Sequence, residues 1–305
     1  MNGKRFFIGA LLATALLLGG AAGLVAWVDP LLTVGKLEPD ETALFVNERY
    51  ELAGLLRCQD YSNLVMGTSL AANFRASWFT NWLGSKTLKV SFPDGRLSEF
   101  DIALDLACRT HGPMERVYFG LDPNILVRDD MSVELPEYLY NDNTLDDFQF
   151  YLNAESLVLA VKSLLLGDAG KVTLDDAYMW DGKHIFSCAA ALASYPRPEA
   201  AETSLPAGAY LPAAQANVDV ICGWAEKYPE TSFVIWFPPY SVLYWDQAAR
   251  EGRTEAILSA VEYAAGRLLA YDNVTVLSFL NAQDITTNLG FYTDHIHYSS
   301  MVAAL

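Results

Sequence analysis

Cysteine is scarce in this sequence, with four in 305 residues, no CxxC spacing and no histidine pair close to any of them. Neither a zinc site nor a thioredoxin-like redox site is indicated. Basic residues are also few. Twenty Lys and Arg against 37 Asp and Glu leave a formal charge of −17, so a face able to neutralise many phosphates is not expected and nucleic acid is a poor match as a partner. No internal repeat or low-complexity tract is visible. With 52% hydrophobic and 12% aromatic residues, the composition is that of a chain able to bury a large core, and the length suits one or two domains.

What is present begins with one long apolar run. After Lys4 and Arg5 no charge occurs from Phe6 to Val28, which at ~1.5 Å per helical residue is enough to cross a ~30 Å hydrocarbon core. Gly20, Ala21, Ala22 and Gly23 offer small residues for signal cleavage, but the run exceeds the usual ~7–15-residue apolar region of a cleaved leader. Residues 1–28 are therefore read as a cytoplasmic start and an uncleaved anchor, with the membrane as partner through residues 6–28. Lys4 and Arg5 precede the span and Asp29 follows it, so the positive-inside rule places residues 29–305 outside. Gly19 and Gly23 form a GxxxG spacing, which is common in such helices and by itself names no partner. In an oxidising exterior Cys58, Cys108, Cys188 and Cys222 could form two bridges, but the spacings choose none of the three connectivities, and buried free thiols are an equal expectation.

Residues 29–60 are mixed and acidic and read as a stalk running into a domain edge. From residue 61 onwards strands alternate with helices: strand 63–68, helix 70–83, strand 87–92, helix 97–108 and strand 116–121. Residues 122–212 break that rhythm and read as an insertion carrying a helix near 156–166. The pattern resumes with helix 213–227, strand 232–237, helix 254–270 and strand 274–279. About five strands separated by helices predict a parallel sheet covered on both faces. Another helix is expected to begin at 299–305, suggesting that the natural chain continues.

In open parallel sheets, ligands bind at the carboxyl ends of strands, so polar residues just after each strand are the first candidates. Ser69 follows Gly67-Thr68 at the first strand-to-helix turn. It is either a helix cap or a nucleophile presented beside free N–H groups. A serine nucleophile needs a base. In Thr293-Asp294-His295-Ile296-His297-Tyr298, after the last strand, Asp294 lies three residues before His297 and can fix its tautomer in a turn. His295 is expected to point elsewhere, and two histidines one residue apart lack a third ligand for a metal. Gly95, Asp122 and Asn124 follow strands two and three, where turn chemistry or an oxyanion hole would place them. His111 and His184 stand alone and read as surface residues. Trp236, Tyr240, Tyr244 and Trp245 around Pro238-Pro239 suit either a sugar-stacking wall or the core. The acidic pairs at 129–130, 146–147 and 175–176 read as solvated turns or helix starts.

Gly67-Thr68-Ser69, Gly95, Gly120-Leu121-Asp122 and Asp294-x-x-His297, in that order and spacing, resemble the SGNH hydrolase superfamily. More closely, Asn47-Glu48-Arg49-Tyr50, Gly67-Thr68-Ser69 with Asn73-Phe74, Tyr138-Leu139-Tyr140-Asn141, Pro238-Pro239-Tyr240-Ser241 and Asp294-His295-Ile296-His297-Tyr298 look like a group of membrane-anchored bacterial SGNH-like proteins. The likeness covers most of residues 29–305. It implies a three-layer α/β/α flavodoxin-like fold, with Ser69 as nucleophile, His297 as base and Asp294 as orienting acid. It further implies an oxyanion hole from the Ser69 amide, Gly95 and the third-block residue, and no cofactor or metal. The sequence departs from the superfamily pattern at Thr68, where an Asp is usual, and at Asp122, where an Asn is usual. An ionised Asp122 would repel an oxyanion, which puts Asn73 or Asn124 in the donor role. Related extracytoplasmic proteins acylate or deacylate envelope polymers such as teichoic acids and exopolysaccharides. The resemblance therefore implies a bacterial, single-pass membrane esterase or O-acyltransferase whose substrate is an acylated envelope polymer or small ester. The alternative it leaves is a non-catalytic glycan-binding or scaffold protein working with envelope-biosynthesis partners.

Overall fold

The apolar run folds as one 26-residue helix, α1 (Gly3–Val28), in a computed structural model that describes residues 3–33, 36–38, 40–143 and 145–305. This helix is long and apolar enough to cross a membrane, and its internal hydrogen bonds leave few backbone groups for lipid to satisfy. The chain continues with α2 (Glu48–Cys58), β1 (Asn63–Gly67), α3 (Ala76–Leu83), β2 (Thr87–Ser91), α4 (Leu97–His111), β3 (Arg116–Gly120) and α5 (Pro123–Leu126). Then come α6 (Phe148–Tyr151), α7 (Ala154–Leu166), α8 (Leu211–Lys227) and β4 (Ser232–Phe237). The last elements are α9 (Val242–Arg250), α10 (Thr254–Leu268), β5 (Val274–Ser278) and α11 (Ser300–Ala303).

Two compact units divide the chain. One comprises Met1–Gln59 with Leu135–Leu174, the other Asp60–Glu134 with Asp175–Leu305. Of the 122–212 segment, residues 135–174 belong to the first unit and residues 122–134 and 175–212 to the second. In the first unit the 29–60 segment, of which residues 34, 35 and 39 lie outside the described residues, is more than a stalk: α2 buries Leu52, Leu55 and Leu56 completely. Apolar residues at three- and four-residue spacing give that helix its inner face. Asn47 precedes α2, and the amides of Val46 and Asn47 donate to Glu51 Oε1 at 2.7 and 3.1 Å. The Tyr140 hydroxyl reaches the Arg49 carbonyl at 2.9 Å, and Arg57 donates to the Asn141 carbonyl at 2.6 Å. The 47–50 and 138–141 motifs are therefore one structural joint within this unit.

The second unit holds a five-stranded parallel sheet in the order β2-β1-β3-β4-β5. That is the flavodoxin-like order, with its topological switch point between β1 and β3. Side chains alternate across the sheet. Phe119 meets Phe100 of α4 and Trp224 of α8, with ring centroids 5.1 and 5.3 Å away. Its neighbour Tyr118 faces the other way with Val65 and Trp236, against Phe74 and Phe79. The result is an α/β/α arrangement. Gly67 ends β1 because a Cβ there would sit 2.9 Å from the Ala71 Cβ, so a side chain would force the turn away from the strand.

One predicted helix is interrupted. Residues 70–83 form a 3₁₀ turn at Ser69–Ala71, a break, and then α3. Buried Lys89 explains the break, since its ammonium takes the carbonyls of Ala72 and Phe74, both at 2.9 Å, and of Ala177 at 2.8 Å. A continuous helix would direct the first two along its axis. Asp175 then accepts from the Ser77 amide at 2.8 Å, starting α3. All four cysteines are free thiols.

Candidate active site

The carboxyl ends of β1 and β3 flank the switch point, and the turn after β1 carries Ser69. Thr68 caps this turn through a 3.4 Å bond from the Leu70 amide. The Ser69 amide has no hydrogen-bond partner among the described residues, as the first N–H of a helical turn has no carbonyl behind it. Ser69 Oγ lies 2.8 Å from His297 Nε2, and His297 Nδ1 lies 2.6 Å from Asp294 Oδ2. Asp294 Oδ1 accepts from the amides of Ile296 and His297, both at 2.8 Å. Burial acts to raise the Asp294 carboxyl, but the His297 contact and the two amides outweigh it and hold it below the usual Asp range. An ionised carboxylate is an acceptor only, so Nδ1 carries the proton and Nε2 presents its lone pair to Ser69.

The turn bearing His297 is pinned from several directions. Ser241 Oγ donates to the His295 carbonyl at 2.6 Å, and the Tyr292 hydroxyl donates to the Pro239 carbonyl at 2.6 Å. Tyr292 and Tyr298 close the turn as a bridged pair. The His295 ring is directed away towards Tyr195, 6.4 Å between centroids, and burial pushes its pKa down.

The four proposed oxyanion-hole side positions fare differently. Gly95 is a turn residue whose amide donates to the Phe92 carbonyl at 2.9 Å, so that amide is engaged within the turn. Its lack of a side chain serves packing, because a Cβ would stand 2.8 Å from Phe92 Cβ and 2.9 Å from Phe100. Asn73 is likewise engaged: its Nδ2 donates to the Tyr298 carbonyl at 2.8 Å and its Oδ1 accepts from the Trp180 amide at 2.7 Å. Asp122 is buried and receives the Thr68 hydroxyl at 2.7 Å, the Tyr240 hydroxyl at 3.0 Å and the Ile125 amide at 3.0 Å. Burial raises its pKa, with these donors pulling the other way. Both its oxygens are acceptors within that network. Asn124 stays at the pocket wall, its Oδ1 accepting from the Tyr244 hydroxyl at 3.3 Å. The Ser69 amide and Asn124 are therefore the donors left at a small cavity of about 150 Å³ that Ser69, Gly95, Arg128 and His297 also line.

Two residues of the site carry no sequence signal. Trp180 lies against the His297 ring, with centroids 4.1 Å apart and planes inclined by 23°. Its far side meets His184 at 4.6 Å, so that histidine is exposed but not isolated. Lys89, described above, ties Ala72 and Phe74 to the segment that leads to Trp180. An isolated lysine in a strand and an isolated tryptophan in a loop fit no motif. Of the two uses open to the aromatics at 236–245, Trp236, Tyr240 and Tyr244 take the core: all three are buried. His111 closes α4 and packs edge-on against Tyr61 at 4.7 Å. Of the acidic pairs, Asp175 caps α3, Asp176 pairs with Arg75 at 2.7 Å, and Asp130 pairs with Arg96 at 2.9 Å.

No family model matches the chain, and no curated protein does. Among solved structures, a proposed platelet activating factor from Streptococcus pneumonia is similar at 12% identity and a TM-score of 0.45, over 84% of this chain and 86% of that one. A proposed short-chain dehydrogenase/reductase from Sinorhizobium meliloti 1021 aligns at 14% identity and a TM-score of 0.21, over 72% of this chain and 96% of that one. At these scores neither likeness bears on the chemistry, which rests on the geometry of the site.

Proposed function

We propose that this protein is a membrane-anchored serine esterase or O-acyltransferase of SGNH type. The observation that carries the reading is the unbroken Ser69–His297–Asp294 hydrogen-bond chain at the switch point. In this scheme His297 Nε2 takes the Ser69 hydroxyl proton as Oγ attacks an acyl carbon, and the Ser69 amide meets the developing oxyanion with Asn124 beside it. The proton then passes from Nε2 to the departing alkoxide. Acyl-Ser69 is released to water, or to a sugar hydroxyl that displaces it, with His297 again as base.

A cavity of about 150 Å³ equals roughly five water volumes, which suits a short acyl chain such as acetyl. An anchor at α1 with its globular part outside the bacterial cell membrane would bring the site to acylated envelope glycans, with envelope-biosynthesis proteins as neighbours. Binding without turnover is the second reading, favoured by the Gly95 amide being engaged with Phe92.

A fluorophosphonate probe separates the two. The detergent-solubilised full-length protein is expected to label when folded, and Ser69→Ala and heat-denatured protein are not. A folded wild-type protein that does not label, yet retains an acetylated glycan equally well with and without Ser69→Ala, would falsify the catalytic reading.

A further inference from the structure

The α6–α7 segment of the anchor unit has the surface of a helix pair made for lipid. Val158 and Leu165 are 64% and 81% exposed, and Phe148, Leu152 and Leu164 are exposed as well. From Ser156 to Gly167 Lys162 is the single charge. A helix that presents leucines over so much of its surface to water is under-packed, since each exposed side chain forgoes about 1.5–3 kcal/mol of burial. The buried residues of α7 are small: Ser156 and Ala160, one turn apart. Small residues four apart are what helices in lipid use for close approach.

Both helices pack against α1. Leu18, Gly19, Ala22 and Gly23 of α1 form an open groove with Phe148 and Leu152, so the GxxxG face of the span borders α6 of the same chain while both glycines stay uncovered. At ~1.5 Å per residue, this stretch of α1 extends to about 15 Å below Val28, the depth of one leaflet. Side chains beside it share that depth. With 13 residues, α7 is about 20 Å long and too short for a second span. Lys162 has the reach to bring its ammonium to the headgroups along an apolar stem.

We propose that α6 and α7 are immersed in the leaflet nearest Val28, where acyl chains cover the exposed face of α7 and make the anchor a two-element membrane platform. The proposal rests on α1 crossing the bilayer and is independent of the chemistry at Ser69. Its test uses full-length protein in phosphatidylcholine–phosphatidylglycerol vesicles, with an environment-sensitive fluorophore at Val158→Cys or Leu165→Cys. Cys188→Ser removes the exposed native thiol, and Gln215→Cys on the outer face of α8 is the aqueous control. Brominated acyl chains are expected to quench both α7 probes at least about twofold more than the control, with iodide quenching reversed, because hydrocarbon excludes ions. Iodide quenching at α7 equal to that of the control overturns the proposal. Shielding from both quenchers also overturns it, and identifies a second copy of the chain as the cover.

Discussion

Trp180 lies nearly parallel to the His297 imidazole at 4.1 Å, on a ring whose nitrogens are both already committed to Ser69 and Asp294. An imidazolium formed during acyl transfer would face an electron-rich indole, an interaction worth about 0.5–2 kcal/mol. Trp180→Leu is expected to slow fluorophosphonate labelling by about 3- to 30-fold. Trp180→Phe should recover most of that loss. Equal labelling rates in all three proteins would show that the stack is packing alone.

Asp294→Asn tests the tautomer. The amide presents a donor or a weaker acceptor to Nδ1, and a fall of about three to four orders of magnitude in labelling rate is expected. Acid stability gives a second readout. The folded Asp294 carboxyl titrates below its unfolded value, so its contribution is present above about pH 4 and is lost as pH falls through the folded value. Denaturant titrations from pH 6 down to 3 should show a shallower decline for Asp294→Asn than for the wild type.

Asp122→Ala would leave the Thr68 and Tyr240 hydroxyls and the Ile125 amide without their acceptor in a buried site. A loss of about 2–4 kcal/mol follows, read as a lower denaturation midpoint. Asp122→Asn keeps one acceptor oxygen and should lose less than half as much. If Asp122→Ala matched the wild type, the network would have no part in holding the turn after β1.

Lys89 predicts a rise of stability with pH. Burial pushes its ammonium down to about 7, while the unfolded chain keeps the proton to roughly 10.4. Between those values the unfolded state binds the extra proton, so the wild type gains stability as pH increases, and below about 7 the contribution is constant. Lys89→Met should flatten this slope between pH 7.5 and 9.5. It should also lower stability at pH 7, because three buried carbonyls lose their donor.

Much of the molecule is written in local pattern. The five strands of the sheet each carry an apolar run that a window of six residues reveals, and α1 follows from the absence of charge between Phe6 and Val28. Asp294 and His297 are three residues apart, within reach of one turn, so their pairing was legible. Ser69 and His297 are separated by 228 positions, and their meeting could be anticipated only because both follow strands of one parallel sheet.

Residue pattern alone thus located the five strands, most of the helices and the one helix long and apolar enough to cross a membrane, since periodicity is a property of neighbours along the chain. Tertiary structure decided where polar groups find partners. Lys89 interrupts the helix after Ser69, Asn73 bonds to Tyr298 and Trp180, the Gly95 amide bonds back to Phe92, and Asp122 gathers Thr68 and Tyr240. A buried donor or acceptor must be satisfied by whatever the fold brings near it. For Lys89, Asn73 and Asp122 most of those partners come from segments that no local window of sequence contains.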